Sequence, residues 1–252
     1  MTVTETTNAT PRAAALDRPT AMRLAATEYD RFLELLRSLQ PADWTKPTDC
    51  PGWDVRATAA HALGMVEMAA SLREQRRQMK LARSRGGVFI DALTGLQVAE
   101  RADMTPAQIV DRFAARAGKA AAGRRRTPGF VRRRKLPIAQ AVGDRREAWT
   151  IGYLVDVVLT RDPWMHRIDI VRATGAPHVL TAEHDGVLVD DVVTEWAERH
   201  GQPFTLRLSG PAGGSWSRGS GGPTLDLDVT EFCRALSGRG PAEGLLATQV
   251  PF

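Results

Sequence analysis

Two stretches of sequence decide the fold: WTKPTDCPGWDVRATAAHAL at residues 44–63 and RDPWMHRIDIVRATG at residues 161–175. In the first stretch, a loop with two tryptophans precedes a helical pattern that carries His61. In the second stretch, Asp162 and His166 are four residues apart, which is about one turn of a helix. Each stretch therefore predicts a helix that carries side chains of the kind that bind metal ions.

Four long helical patterns include or flank these stretches, and together they predict an antiparallel four-helix bundle. In each pattern, apolar residues recur every three or four positions, so one face of the helix can be buried. Thr20 is the predicted N-cap of the first helix, which ends before Pro41. The four patterns cover residues 20–40, 54–81, 105–123 and 146–173.

The residues after Pro177 change character and predict a small α/β domain. A helical pattern over residues 181–200 is followed by period-two alternation at 204–209 and 225–229, which is typical of strands. We therefore expect an α+β fold, with the bundle preceding the small domain. The expected division is a disordered leader at 1–18, the helical bundle at 19–178 and the C-terminal domain at 179–252.

The positive charge of the chain is concentrated in one segment. The net charge is +5, yet residues 124–135 alone supply seven positive charges and no negative charge, so the rest of the chain is slightly acidic. This distribution argues against a broadly basic, nucleic-acid-binding surface. We expect a turn or exposed loop that draws an anionic ligand, so neutralising Arg132, Arg133 and Arg134 should raise the apparent KM.

The amino-acid sequence also argues against several classes of protein. No run of about 18 apolar residues is present, so we expect no membrane-spanning helix. Residues 1–19 lack the basic end and apolar run of a signal peptide, and two cysteines cannot build a disulfide framework. The simplest expectation is a cytoplasmic protein. The sequence leaves the oligomeric state open.

One face of the fourth helical pattern combines apolar and ionisable residues. At 100° per residue, six side chains fall within an arc of about 80°: Ile151, Val155, Val158, Asp162, His166 and Asp169. Burying unpaired polar groups is costly, so something must compensate them. A metal ion held by Asp162 and His166 with His61 from the second helix is one answer, and three ligands leave a position open for catalysis.

Structural alternatives stay open at this point. His61 could be a hydrogen-bonded core residue, and Asp162 could cap a helix that restarts at Pro163. His166 and Asp169 could form a structural pair near Arg167 or Arg172. We interpret Cys50 and Cys233 as structural.

The two quoted stretches closely resemble the signatures of the mycothiol-dependent maleylpyruvate isomerase family, which is related to DinB-like four-helix bundles. The ending, residues 231–240 and 244–252, is similar to the small C-terminal domain of that family. The resemblance covers nearly all of residues 20–252. It implies that His61, Asp162 and His166 are the metal ligands. The best-known members have Glu at the position of Asp162, whose side chain is one methylene shorter.

The resemblance also implies an activity. A divalent metal ion, with zinc expected first, would hold a low-molecular-weight thiol, mycothiol, as thiolate for isomerisation or thiol transfer on a small electrophilic substrate. Asp169 would orient a ligand, or form a salt bridge with Arg167 or Arg172 instead. Arg239 could bind an anionic substrate or cofactor, or be structural. No further catalytic residue is assigned.

Two other functions remain compatible with the sequence. The same three ligands would serve a metal-dependent hydrolase that activates water instead of a thiol. A non-catalytic binding or regulatory protein could also retain the bundle. Nucleic-acid binding is a weaker alternative, because the basic segment contains Phe130 as its one aromatic residue.

Overall fold

A computed structural model describes residues 4–5 and 10–252. These residues form two compact units that alternate along the chain. The helical unit contains residues 18–128 and 162–177, and the mixed unit contains the described residues before 18 together with 129–161 and 178–252. The α+β class predicted from the sequence is confirmed. The predicted domain ranges 19–178 and 179–252 stay a prediction.

The elements, in chain order, have the following bounds. The helices are α1 Arg18–Ser38, α2 Val55–Ala70, α3 Leu72–Arg85, α4 Phe89–Ala99, α5 Pro106–Arg126, α6 Gly129–Arg132, α7 Ile151–Tyr153, α8 Leu159–Thr174, α9 Val187–His200 and α10 Val229–Leu236. The strands are β1 Thr4–Glu5, β2 Gln140–Val142, β3 Arg145–Glu147, β4 Phe204–Ser209, β5 Gly214–Arg218 and β6 Thr224–Asp228. Short 3-10 helices cover Pro41–Thr45 and Gly244–Ala247, and π-helical turns cover Leu154–Val158 and Ala182–Gly186.

The helical unit has one core shared by α1, α2, α5 and α8. The face predicted for the first helix is buried in this core, namely Ala25, Tyr29, Phe32, Leu36 and Leu39. Phe32 stacks on Phe113 of α5 with 5.3 Å between ring centroids. Glu28 of α1 and Arg167 of α8 form a buried ion pair at 2.9 Å, which offsets the cost of burying either charge alone. These four helices form the expected bundle.

Two helices, α3 and α4, pack on each other and on α2, in addition to the four of the bundle. The single helix predicted for residues 54–81 is wrong, because Ser71 is extended and ends α2 at Ala70. The Ser71 side chain then accepts a hydrogen bond from the Glu74 backbone N–H and caps α3. The 84–104 segment, in which no pattern was predicted, contains α4. This arrangement places α4 beside the face of α2 that carries His61.

A π-helical turn at Leu154–Val158 precedes α8. Each such turn adds a residue to the helical register, so Ile151 and Val155 are only half-buried although the 100° projection placed them on the buried stripe. Pro163 lies inside α8, so Asp162 does not begin a new helix. From Pro163 to Ile170, every residue of α8 is buried.

The mixed unit contains two three-stranded sheets, with strand orders β1-β3-β2 and β5-β4-β6. In the second sheet, β4 is antiparallel to β5 and parallel to β6. The alternating residues of β4 that face the core are Phe204, Leu206 and Leu208. Trp196 of α9 packs against Phe204 and against Phe232 of α10. The strands predicted at 204–209 and 225–229 are present as β4 and β6, and β5 lies in the Gly- and Ser-rich segment between them.

The Arg-rich segment is not one exposed loop, which corrects the expectation for residues 124–135. Arg124 is buried at the end of α5 and its guanidinium donates to the Tyr29 hydroxyl at 3.2 Å. Arg132 is buried as well and pairs with Asp156. A buried guanidinium needs a carboxylate partner, and the sequence pattern could not reveal one 24 positions away. Neutralising Arg132 would therefore disturb the fold rather than test ligand attraction.

The predicted disordered leader falls partly on residues 1–3 and 6–9, which lie outside the described residues. Where disorder was predicted, Arg12 instead exchanges backbone hydrogen bonds with Ala148 and Thr150 at 2.8 and 2.9 Å. Among the described residues, no helix has both the length and the apolar character that crossing a membrane requires.

Candidate metal centre

Two helices of the helical unit position the three predicted ligands. The Asp54 side chain accepts a hydrogen bond from the Ala57 backbone N–H at 2.7 Å, so α2 begins at a defined residue and His61 follows on its second turn. On α8, Asp162 and His166 are one turn apart and project on the same side. His61 and His166 are buried, whereas Asp162 is half-buried. The structure therefore brings together three residues separated by 101 and four positions.

The two imidazole rings converge on one carboxylate oxygen. Asp162 Oδ1 lies 3.3 Å from His61 Nε2 and 3.6 Å from His166 Nε2. The ring centroids are 5.1 Å apart and nearly perpendicular. The potential ligand atoms of the three residues all lie within 4.8 Å of one another. The shorter Asp side chain thus reaches both histidines.

The opposite nitrogen of each ring is occupied by a hydrogen-bond acceptor. His61 Nδ1 is 2.8 Å from Gln97 Oε1, and His166 Nδ1 is 2.9 Å from Asp169 Oδ2. An imidazole that donates from Nδ1 carries its lone pair on Nε2. Metal-binding histidines usually have such a second hydrogen bond, which fixes the ring and its tautomer. In each ring, the atom that faces Asp162 is Nε2.

This donor set fits a divalent cation. Two imidazole nitrogens and one carboxylate oxygen are ligand types that zinc accepts, and three protein ligands leave a coordination position for another molecule. A closed structural site would have four protein ligands instead. Within the described residues, the arrangement is thus of the kind that binds a metal ion and a small ligand together.

Asp169 belongs to the helical unit and Arg239 to the mixed unit. Asp169 is fully buried beside His166, while Arg167 binds Glu28 and Arg172 binds Asp49 at 3.2 Å. Arg239 belongs to the mixed unit, on the turn after α10, where its backbone N–H donates to the Arg234 carbonyl at 2.8 Å. Asp169 thus faces a predicted ligand directly, and the role suggested for Arg239 stays a prediction.

Cys50 and Trp53 border the centre, although sequence reasoning assigned neither of them to it. Cys50 Sγ lies 3.3 Å from Asp169 Oδ2 and 3.7 Å from His166 Nδ1, so the thiol is not merely a structural residue remote from the site. The Trp53 ring lies 5.2 Å from the His61 ring, centroid to centroid. The sequence shows the loop that contains both residues. It does not show that this loop contacts α8, because Cys50 and Asp169 are 119 positions apart.

Cys50 contacts a residue that holds a ligand. Its S–H donates to Asp169 Oδ2, the same oxygen that lies 2.9 Å from His166 Nδ1. We therefore expect Cys50→Ala to weaken metal binding by less than about tenfold, below the usual effect of losing a ligand's hydrogen-bond partner. Titration of the purified variant with Zn²⁺ or Co²⁺ measures this. A loss of several hundredfold would contradict the prediction and make the thiol itself a ligand.

A cavity of about 380 Å³ lies against Trp53 in the helical unit. Its lining includes Thr48, Arg56, Val98 and Arg101. Arg56 is exposed to solvent, whereas the buried Arg101 donates to the Gln97 carbonyl at 2.8 Å and pairs with Glu67. The cavity offers space for a small molecule beside the tryptophan that covers His61.

Comparison with known proteins shows the family of this chain. The profile of the mycothiol maleylpyruvate isomerase N-terminal domain matches residues 25–171, which is more than half of the chain and a range that contains His61, Asp162 and His166. This chain belongs to that family. A comparison with curated proteins gave no match.

Two solved structures share the fold of this family member. One is a crystal structure of the mycothiol-dependent maleylpyruvate isomerase, with a TM-score of 0.57 and 14% sequence identity. The other is a histidine-to-alanine mutant of the mycothiol-dependent maleylpyruvate isomerase, with a TM-score of 0.56 and 15% identity. Each comparison covers 89% of this chain and 90% of the other. At this identity, the likeness establishes the fold, and the family profile establishes the membership.

Proposed function

We propose that this protein binds a divalent metal ion, with zinc as the first candidate, through His61, Asp162 and His166. With it, the protein activates a low-molecular-weight thiol, mycothiol, for isomerisation or thiol transfer on a small electrophilic substrate. The observation that carries the proposal is the convergence of both Nε2 atoms on Asp162 Oδ1, with each Nδ1 atom held by another side chain. Membership in the family and the names of the two related structures support mycothiol as the thiol.

The chain's own residues supply orientation and shielding. Asp169 holds the His166 ring and Gln97 holds the His61 ring, so neither has to reorganise when a ligand arrives. Trp53 lies over His61 and limits the access of water from that side. When bound, a divalent ion would lower the pKa of a thiol at its open position and favour the nucleophilic thiolate.

The cavity beside Trp53 is the proposed location of the substrate or of part of the thiol. Arg56 is solvent-exposed on its lining and offers a positive charge to a carboxylate or another anionic group. We accordingly expect the substrate class to be small anionic electrophiles, such as α,β-unsaturated acids. A cytoplasmic location, where low-molecular-weight thiols are reduced, is part of the proposal.

The proposed function predicts that turnover requires the thiol. We expect zinc-loaded protein to convert maleylpyruvate or another unsaturated acid at least about 100-fold faster with mycothiol than without it, because an activated thiolate is the nucleophile. Elemental analysis and a spectrophotometric assay with mycothiol, another thiol or no thiol measure the dependence. Equal rates without any thiol would contradict the proposal and favour a hydrolase. His166→Ala protein is the matched control for background reaction of the free thiol.

A further inference from the structure

Two glutamines, Gln78 of α3 and Gln97 of α4, are fully buried behind His61. Neither belongs to the proposed ligands, and neither was singled out in the sequence. A buried amide loses its hydrogen bonds to water, so its nitrogen needs acceptors and its oxygen needs donors within the protein. The partners of these two amides therefore determine which way each one faces.

Two groups that can only accept hydrogen bonds fix the amide nitrogen of Gln78. Its Nε2 lies 2.9 Å from Glu74 Oε1 and 3.3 Å from the Gly64 carbonyl oxygen. Glu74 remains a carboxylate near neutral pH, because its hydrogen bond with Arg77 lowers its pKa to about 2. The amide oxygen of Gln78 must then face the other way, toward Gln97.

Gln97 is oriented by Gln78 and by two methionines. Its Nε2 lies 3.0 Å from Gln78 Oε1, 3.1 Å from Met65 Sδ and 3.3 Å from Met68 Sδ. A rotated amide would place its oxygen against another amide oxygen and two sulfur atoms, with no donor among them. The Gln97 oxygen consequently faces His61 Nδ1 at 2.8 Å, and His61 must donate to it.

Gly64 makes this close arrangement feasible. A Cβ atom at position 64 would lie 2.6 Å from Gln97 Cγ, which is closer than side-chain atoms approach. The absence of a side chain thus lets α4 bring Gln97 against α2, one turn from His61. The Gly64 carbonyl oxygen also accepts a hydrogen bond from Gln78. Gly64 therefore contributes to the placement of both amides.

We propose that Gln97, held by Gln78, is a positioning residue that keeps His61 in its Nδ1–H tautomer and directs the Nε2 lone pair toward Asp162. The hydrogen bonds run in one direction, from His61 to Gln97, from Gln97 to Gln78 and from Gln78 to Glu74. The identity of the ion that Nε2 binds rests on the proposed function, whereas the orientation of the Gln97 amide follows from its contacts with Gln78, Met65 and Met68. His166 achieves the same orientation directly through Asp169.

The test compares Gln97→Met with wild type, because methionine has a similar shape but no amide. Long-range ¹⁵N–¹H correlation spectra of metal-free, histidine-labelled protein at pH 8 report the tautomer, with His61→Ala assigning the signal. We expect Nδ1–H in wild type, a shift toward Nε2–H in Gln97→Met, and 10- to 100-fold weaker Zn²⁺ or Co²⁺ binding by the variant. Gln97→Glu retains an acceptor facing His61 and should restore the Nδ1–H signal, although its second oxygen meets Gln78 Oε1 and lowers the stability of the fold. Gln75→Met, at a half-buried glutamine of α3, should change neither readout.

The two readouts separate this inference from the proposed function. The His61 tautomer could change in Gln97→Met while the wild-type protein binds no metal. That result would support the positioning role and refute the metal centre. An unchanged tautomer in Gln97→Met would overturn the positioning role, whatever the metal affinity. If circular dichroism shows that Gln97→Met does not fold, Gln78→Met decides instead, since it frees the Gln97 amide to rotate. A mixed His61 tautomer is then expected, and a pure Nδ1–H signal would overturn the inference.

Discussion

His166→Ala should weaken the binding of Zn²⁺ by about 100- to 1000-fold, and His61→Ala and Asp162→Ala should have comparable effects. Structural zinc sites with four ligands bind with about 10–16 kcal/mol, so one ligand accounts for roughly 3 kcal/mol or more. Each of the three residues contributes one potential ligand atom to the same cluster. Asp162 Oδ1 lies close to the Nε2 atoms of both imidazoles. Removing any one leaves two ligands, too few to hold the ion firmly.

Isothermal titration of metal-free protein measures this loss directly, and the thermal shift on adding Zn²⁺ provides a second measurement. Metal that binds only the folded protein raises its melting temperature, so the ligand variants should show little or no shift. His178→Ala, which changes a histidine of the mixed unit, is the matched control and should bind as wild type does. Wild-type affinity in His166→Ala protein would refute the three-residue centre.

Arg161→Met should destabilise the fold by about 3–5 kcal/mol at pH 7, because it leaves the buried Asp191 without its countercharge and leaves Glu195 with Arg199 alone. Arg161 is fully buried, and its guanidinium donates to Asp191 Oδ2 at 2.6 Å and to Glu195 Oε2 at 2.8 Å. The Tyr153 hydroxyl also donates to Glu195, at 2.6 Å. Urea unfolding followed by circular dichroism measures the free energy of unfolding, with the exposed Arg207→Met of β4 as control.

The destabilisation should depend on pH in a defined direction. Burial raises the pKa of Asp191 even in the presence of Arg161, whereas the nearby Arg161 and Arg199 outweigh burial at Glu195 and lower its pKa. Without Arg161, the pKa of Asp191 rises further above that of the unfolded chain, while Arg199 still faces Glu195, so the folded variant gains stability from protonation of Asp191. That gain is present below the unfolded pKa of about 4 and is lost as the pH rises. The difference from wild type should therefore be smaller at pH 4 than at pH 7, and equal differences would contradict the ionic explanation.

Some features were predictable because they depend on residues close together in the sequence. The buried face of α1 follows from the repeat of Tyr29, Phe32 and Leu36 at helical spacing, and the alternation in β4 predicted a strand with one buried face. Asp162 and His166 share a helix, so their proximity follows from one helical turn. The predicted pairing of these two residues with His61 depended on the apolar rows and on family resemblance, and the structure brings the three together.

Other features required the packing of distant segments. Gln97 lies in a stretch without a clear pattern, and only the packing of α4 on α2 across Gly64 brings its oxygen to His61. Cys50 has no basic neighbour in the sequence, yet the loop before α2 places it beside Asp169. Arg132 seemed part of a solvated cluster, but Asp156 pairs with it in the interior.

The sequence by itself determined the helical bundle, the following α/β region and the three residue types of the centre. Their signals are local, since periodicity and turn spacing arise from the geometry of a single helix or strand. Tertiary structure alone decided which nitrogen of each imidazole faces Asp162, because Gln97 and Asp169 approach the rings from specific directions. It also decided which arginines are buried, since a guanidinium leaves water only where folding places hydrogen-bond acceptors next to it, such as the Tyr29 hydroxyl at Arg124 or the Asp156 carboxylate at Arg132.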